Sequence, residues 1–390
     1  MRLARRTRAL ASLIATWGAC VCARADAPEK TAWAPVTFSP QAPPATDGAL
    51  QKKCGATEAG LVVVARQIAD RKAKNLPYLD VDGLANALRA AGEPHVWPRA
   101  WIVSGKAPLD EQDTEGKLDA WRRSFSNPGE RRCGVASARA ADGSEVVAAV
   151  ALDVLADLVT PLPTRARAGE WLTVEAKLLV PTSSAKVVVV VEGASPRTLL
   201  SSFDVQTSRV KARFAPDRPG AFTVQVLAEV AGGPRPVLEA RVFADVEPPA
   251  ALPDTSAPGE AAGANVTDPT AALARMIDAL RADQKLKPLA RDGRLDAVAE
   301  AHAKRMKATR TVAHDVGDGG PADRLQAASV PASIAGENVA RAASALAAHR
   351  MLWASPSHRA NLVRSEFDRF GLGVVPEGDG TYWVVELFAH

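Results

Sequence analysis

The sequence predicts a multidomain α+β chain: a mixed α/β N-terminal domain, then an immunoglobulin-like β-sandwich, then a helix-rich C-terminal domain closing on two strands. Three observations carry this. The 390 residues are 47% hydrophobic and 24% charged, enough for two or three separate cores. From Pro161 to Val246 apolar and polar residues alternate at a period of two, with no helix-like stretch between the runs. After Asp268 the period becomes helical until the last two segments, which are strand-like again.

The chain opens with a secretory-signal pattern over residues 1–25. Arg2, Arg5, Arg6 and Arg8 precede an apolar run, Ala9 to Ala23, and Ala23-Arg24-Ala25 offers a small-residue cleavage site. Arg5-Arg6 does not make a twin-arginine signal, because Arg8 stands where an apolar residue is wanted. A lipoprotein signal at Cys20 is weak, since bulky Trp17 precedes Gly18-Ala19-Cys20. The formal charge of +4 comes from this segment: removing it takes five arginines and no acid, so 48 basic groups become 43 against 44 acidic ones, a net −1. Such a chain has no electrostatic case for nucleic acid. No other run reaches the ~20 apolar residues of a membrane-spanning helix. The expectation is a secreted, periplasmic or envelope-associated protein with no transmembrane helix in its mature form.

Residues 26–48 are rich in Pro and Ala and read as a flexible leader. Residues 49–157 form the mixed domain, with helix-like Leu61 to Lys72 and Val81 to Ala91 and strand-like Ser144 to Leu152. Two cysteines remain after signal removal, Cys54 and Cys133. In an oxidising compartment an isolated pair reads as one disulfide, which would close a long loop; two buried thiols are the alternative.

Residues 158–247 form the sandwich. Its candidate strands are Trp171 to Val180, Val187 to Glu192, Ser208 to Phe214, Ala221 to Val230 and Val237 to Val246. In the fourth, Phe222, Val224, Val226 and Ala228 alternate with Thr223, Gln225, Leu227 and Glu229, after turn chemistry at Pro216 to Gly220. The segment carries no catalytic constellation and reads as a spacer or binding module. Residues 248–268, rich in Pro, Ala and Gly, read as a linker.

Residues 269–390 begin with Asp268 as N-cap and Pro269 at the first helical position. Leu273, Met276, Ile277 and Leu280 mark one helical face; Leu295, Val298, Ala299, His302 and Met306 mark a second. His302 on that stripe reads as a core histidine. His314 precedes a Gly-rich loop, Gly317 to Gly320, and a short helix near Pro321 to Ala328. Gly336-Glu337-Asn338 stands before a third long helix, with Asn338 as its N-cap and Val339, Ala342, Ala343, Leu346 and Trp353 inward. Gly371 to Val374 and Tyr382 to Phe388 are the closing strands. His349 is expected on an exposed face, and His95 and His390 have no partner that the sequence names.

Ala301-His302-Ala303, His314, Gly336 to Ala340, Trp353 to Leu362, Gly371 to Val374 and Tyr382 to Val385 occur in order and at suitable gaps. In this the C-terminal third resembles the CAP superfamily (cysteine-rich secretory proteins, antigen 5, pathogenesis-related 1 proteins), in its bacterial secreted, SCP-like branch. The resemblance implies an α-β-α sandwich around a mostly antiparallel sheet. It also implies a polar cleft at His314, Glu337 and His358, supported by Asn338, Arg359 and Asn361. Pro356 stands where the animal and plant branch carries a second glutamate. A looser echo links Trp121, Asn127 to Arg131 and Cys133-Gly134-Val135 of the N-terminal domain to Trp353, Ser355 to Arg359 and Gly371 to Val374. This suggests a degenerate CAP-like copy, with Glu130 in place of His358.

Two imidazoles and a carboxylate suit Zn²⁺ or another divalent ion, and without metal they suit general acid/base work. No activated nucleophile accompanies them: there is no Gly-x-Ser-x-Gly elbow and no His-Glu-x-x-His, and Ser355 and Ser357 flank His358 too closely to form a triad alone. The leading expectation is a ligand-binding or effector role toward a divalent ion, a lipid, an envelope glycan or an envelope protein. A secreted peptidase or cell-wall hydrolase using His314, Glu337 and His358 is the alternative, and a purely structural envelope interaction protein the second.

Overall fold

The computed structural model describes residues 45–79, 81–125, 130–248 and 256–390. The signal pattern expected over 1–25, most of the expected leader, Asn127-Pro128-Gly129 and the middle of the expected linker lie outside these residues.

The N-terminal part runs α1 (Ala45–Cys54), α2 (Ala59–Ala73), α3 (Val81–Ala90), β1 (Arg99–Lys106), α4 (Glu111–Arg123), β2 (Glu130–Arg139) and β3 (Ser144–Val154). Helix α1 begins inside the stretch expected to be leader. The strands form an antiparallel sheet in the order β1-β3-β2. One face packs Val146, Ala148, Val150 and Leu152 against Leu61, Val64 and Ile68 of α2. The other packs Val135 and Ala149 against Leu50 and Leu118. There a disulfide joins Cys54 of α1 to Cys133 of β2, 79 residues apart. The sequence reading missed α4 because only Thr114 and Leu118 of it are buried, too few to make a period; its signal was the cap, Asp110, whose carboxylate accepts from Asp113 N at 2.7 Å.

The next nine strands are β4 (Ala156–Leu158), β5 (Arg165–Ala166), β6 (Leu172–Leu178), β7 (Ala185–Val191), β8 (Arg197–Thr198), β9 (Ser201–Asp204), β10 (Arg209–Phe214), β11 (Gly220–Val230) and β12 (Gly233–Ala244). They make two sheets, β4-β6-β10-β9 and β5-β12-β11-β7-β8, around one core that includes Val174, Val189, Val210, Phe222, Val224 and Val242. All five expected strands are present; the short edges β4, β5, β8 and β9 carried no pattern long enough to read. The second sheet is buried on both faces. Val187 to Val191 are all at most 7% exposed, and on the outward face Gln225 is fully buried. An unbroken valine run is the mark of such a strand.

The C-terminal part runs α5 (Pro269–Asp283), β13 (Ala290–Arg291), α6 (Gly293–Thr309), α7 (Pro321–Ala327), β14 (Ala335–Ala342), α8 (Ala345–Ala354), α9 (Pro356–Leu362), β15 (Arg369–Pro376) and β16 (Tyr382–Ala389). Asp268 caps α5 as expected, accepting from Ala271 N at 2.7 Å. The sheet order is β13-β15-β16-β14, antiparallel except for β13 with β15. Leu295, Val298 and Met306 of α6 pack with Trp383, Val385 and Leu387 on one face. Leu273, Met276 and Ile277 of α5 and Leu352 of α8 pack with Val384 and Phe388 on the other. This is the three-layer α-β-α arrangement the resemblance implied.

Two expectations about this part are corrected. Residues 335–342 are a strand, not the start of a helix: their backbone pairs with β16 from Ala335↔Ala389 to Ala342↔Tyr382. Helix α8 starts at Ala345 under a different cap, Ser344, whose Oγ accepts from Ala347 N at 3.0 Å. An Ala/Val-rich run satisfies either period, and a partner strand decided it. His349 is fully buried, not exposed. Its Nε2 donates to Pro258 O at 2.8 Å, because the linker's 3₁₀ turn at Glu260–Gly263 covers α8.

The first and last sheets share a plan. β1-β3-β2 repeats the order β14-β16-β15, and α2 lies on β2 as α6 lies on β15. Both contacts need a glycine: a Cβ on Gly134 would fall 2.3 Å from Val62 N, and one on Gly371 would fall 2.3 Å from Leu295 C. Among the described residues no helix is long and apolar enough to cross a membrane.

Candidate functional site

Alternation along β14 sends Glu337 and Asn338 to opposite faces of the sheet. Glu337 stands opposite Leu387 and turns toward α6 and α7; Asn338 stands opposite Glu386 and turns toward α9.

On the Glu337 side the loop between α6 and α7 is fastened from three directions. His302, fully buried on α6, places Nε2 3.0 Å from Ala313 O and Nδ1 2.8 Å from Asp318 Oδ2. Burial raises the Asp318 carboxyl, but the hydrogen bond and charge of His302 outweigh this and lower it. Arg324 of α7 donates to His314 O at 2.7 Å and to Gly319 O, and pairs with Glu337 Oε2. His314 Nδ1 lies 2.9 Å from Glu337 Oε1. Both carboxylate oxygens are thereby occupied, within a side chain only 1% exposed.

On the other side, Asn361 of α9 donates through Nδ2 to Glu337 O at 3.0 Å and Asn338 Oδ1 at 2.9 Å. Asn338 Nδ2 in turn reaches His358 O at 3.2 Å and Glu386 Oε2 at 2.8 Å. Arg281, fully buried on α5, holds the far end of α9 through Leu362 O at 2.9 Å and Arg364 O at 3.1 Å. Arg359 donates from Nε to Trp353 O at 2.7 Å and lays its guanidinium 4.1 Å over the Trp353 ring. Asn338, Arg359 and Asn361 thus tie α9 to β14 and to Trp353. Asn338, however, is not a helix cap.

Among the described residues His358 makes no hydrogen bond through its ring, and its Nδ1 is sealed from solvent. Burial, reinforced by the nearby charge of His314, pushes its pKa down to about 3. The ring is therefore neutral at physiological pH. Glu386 is fully buried, with Oε1 unpartnered; burial pushes it up to about 7 against the opposing Asn338 bond. It lies on the opposite sheet face from Glu337, outside the cleft.

The sandwich reaches this site. His314 N and Asp315 N both donate to Gly232 O, at 2.9 and 3.1 Å, in the turn between β11 and β12. A Cβ on Gly233, whose φ is +97°, would fall 2.8 Å from His314 Cβ. Gln225 of β11 donates to Ser355 Oγ at 3.1 Å and Glu239 Oε2 at 2.7 Å, and accepts from Ser357 N at 3.1 Å. Glu239 pairs with Arg89 of α3. One chain of polar contacts therefore crosses all three parts of the molecule.

Of the three expected cleft residues, the fold joins His314 to Glu337 and sets His358 nearby without a bond to either. The sequence reading missed Arg324, Asp318 and Gln225. A lone arginine beside a Gly-rich loop was the one local sign of the first. Glu130, proposed as the counterpart of His358, is exposed at the start of β2 and bonded to Arg132. His95 and His390, for which the sequence named no partner, have them: Glu93 and Asp157 for His95, and Asp368 for His390 at 3.1 Å. Burial would lower His95, but its bonds to Asp157 and Glu93 raise it to about 9. As arranged, the cleft does not fit a divalent ion: Glu337 already holds the Arg324 cation, and among the described residues no group of three His, Cys, Asp or Glu side chains is placed to hold a metal.

Residues 274–388 match the family model described as CAP, cysteine-rich secretory protein family. The chain therefore carries a CAP domain at its C-terminus. Similar solved structures include an outer surface protein of Borrelia burgdorferi, 23% identical over 32% of this chain and 94% of that one, TM-score 0.31. An extracellular protein containing an SCP domain from Bacillus anthracis is 22% identical over 56% of this chain and 64% of that one, TM-score 0.30. A cysteine-rich secretory protein of Staphylococcus aureus is 14% identical over 56% and 77%, TM-score 0.27. No curated protein matches the chain.

Proposed function

We propose that this chain is an exported envelope protein whose CAP domain works by binding, not turnover, and that its cleft takes an uncharged, hydroxyl-bearing ligand of the envelope-glycan class. The observation that carries this is the commitment of Glu337: His314 holds one oxygen and Arg324 the other. A carboxylate so held is a poor base and a poor metal ligand. His358 is neutral, and neither Ser355 nor Ser357 is bonded to it, so no nucleophile is activated. The ring Nε2 atoms of His314 and His358 have no protein partner among the described residues and suit hydroxyl groups. The signal pattern over residues 1–25 and the Cys54–Cys133 disulfide support export.

In this reading residues 158–247 are an immunoglobulin-like spacer, and residues 49–157 are a degenerate CAP copy. Aligning the sheets on Gly134 and Gly371 places Ile68 at His302, Ala100 at Glu337, Trp101 at Asn338 and Ala149 at Glu386. Each of these four polar positions becomes apolar in the copy, which is therefore read as scaffold. An experimental structure in which these registers differ would reject the duplication.

Calorimetric titration of the mature chain with soluble cell-wall oligosaccharides tests the binding reading. Saturable binding lost in the His314→Ala/His358→Ala variant, with its circular dichroism unchanged, is the expected result. Absence of binding overturns it. Cleavage of wall fragments or peptides that disappears in His358→Ala would establish the hydrolase instead. One observation favours a structural cleft: the Gly232-Gly233 turn already rests on His314. In that case Glu337→Ala lowers stability and leaves every binding measurement unchanged.

A further inference from the structure

Two arginines lie by the outward face of the second sandwich sheet, Arg241 on β12 and Arg359 on α9. Arg241 stands opposite Thr223 on β12, two residues from the Glu239↔Gln225 pair that meets α9. Arg359 follows Ser357, the residue whose N–H Gln225 receives, by two positions. Both guanidinium groups therefore face the seam between the sandwich and α9. Neither has a carboxylate within 4.0 Å among the described residues, whereas Arg89, whose charge acts on Arg241, is paired with Glu239. Arg241 Nε is buried with no partner at all. Arg359 spends only its Nε, on Trp353 O, and is held flat against the Trp353 ring, which leaves its terminal N–H groups uncommitted.

The nearby acids Glu239 and Glu192 partly offset this charge, each raising both arginines, but neither forms an ion pair with Arg241 or Arg359 among the described residues. Glu239 is taken by Arg89 and Gln225, and Glu192 is exposed. Burial pushes Arg359 down to about 10, and Arg241 is lowered by burial and by the charge of Arg89. Arginine that is desolvated without an anion is costly, and a planar fork with free N–H groups is the side chain best suited to gripping an oxyanion.

We propose that Arg241 and Arg359 form an oxyanion site at the sandwich–CAP seam, taking a phosphate-type group between the two guanidiniums. Such a ligand would bridge the two domains and stabilise their docking. The group could belong to a free anion or to the headgroup of an anionic lipid, which present the same chemistry.

The test uses the full mature chain. Thermal midpoints are followed in inorganic phosphate and in chloride at equal ionic strength, beside calorimetric phosphate titration and co-sedimentation with phosphatidylglycerol vesicles. Saturable phosphate binding, weakened about tenfold or more in Arg241→Gln and in Arg359→Gln, supports the site with a free anion. Vesicle binding lost in both variants, without a response to free phosphate, supports it with the headgroup. Equal behaviour in phosphate and chloride together with no vesicle binding overturns it. Arg359→Gln removes the hydrogen bond from α9 to Trp353 of α8, so Arg241→Gln, whose side chain makes none among the described residues, carries the decision if the former fails to fold. An adventitious, non-specific anion effect would persist unchanged in Arg241→Gln and also overturns the proposal.

Discussion

Arg324 and Glu337 form an ion pair sealed within the C-terminal domain, their side chains 8% and 1% exposed. Desolvating two charges is costly, and further bonds offset much of that cost: His314 meets Glu337, and the His314 and Gly319 carbonyls meet Arg324, whose Nε alone stays buried without a partner among the described residues. Removing one partner strands the other. Glu337→Ala and Arg324→Ala should each lower the unfolding free energy by about 3–5 kcal/mol, measured by urea denaturation. The double variant Arg324→Met/Glu337→Leu should cost much less than their sum. Additive losses would mean that the two side chains act independently.

Gln225 is the hinge pin between sandwich and CAP domain. Gln225→Leu leaves Ser357 N and one Glu239 oxygen without their partner in a buried seam. A loss of about 1–3 kcal/mol is expected, seen as earlier unfolding of the CAP domain and faster proteolytic release of a C-terminal fragment. An unchanged cleavage rate would show that the seam is held elsewhere.

Glu386 makes stability depend on pH. Its folded pKa, about 7, lies above the ordinary value of 4.5. The folded state therefore binds the proton more tightly, and this contribution is present below about pH 4.5 and lost as pH rises through 7. Between pH 4.5 and 8 the wild-type chain should lose on the order of 3 kcal/mol relative to Glu386→Gln. Parallel pH profiles for the two proteins would remove Glu386 as the cause.

The Cys54–Cys133 bridge closes 79 residues and holds α1 against the sheet of the N-terminal domain. In the chain-entropy model this amounts to ~4.5 kcal/mol. Cys54→Ala/Cys133→Ala, or reduction, should destabilise that domain by about 2–5 kcal/mol and leave oligosaccharide binding by the CAP domain in place.

Zinc gives a direct check on the cleft. With Glu337 engaged by Arg324, the full chain should show no micromolar Zn²⁺ binding that depends on His314 and His358. Calorimetric binding lost in the double alanine variant would show that Arg324 gives way to the metal.

Much of this could be read locally. The caps at Asp110, Asp268 and Ser344 are short-range hydrogen bonds, though only Asp268 was recognised. Helices α2, α5 and α6 and strands β6 and β10 show their period because each buries one face. That His314, Glu337 and His358 share one neighbourhood came from the resemblance to the CAP superfamily.

What the sequence by itself determined is the longer elements whose period is clear and the faces they bury, while the expected cleft residues came from the family resemblance. The tertiary structure decided which groups are free within it. Residues 335–342 became a strand because β16 supplied their backbone partners. Gln225 sits at an alternating position that reads as solvent-facing, yet it is fully buried because Ser355, 130 residues away, lies across it. Glu337 looked like a free carboxylate until Arg324 closed on it. Local pattern records burial against a single face, whereas a side chain's charge and availability depend on groups that only the folded chain brings within hydrogen-bonding distance.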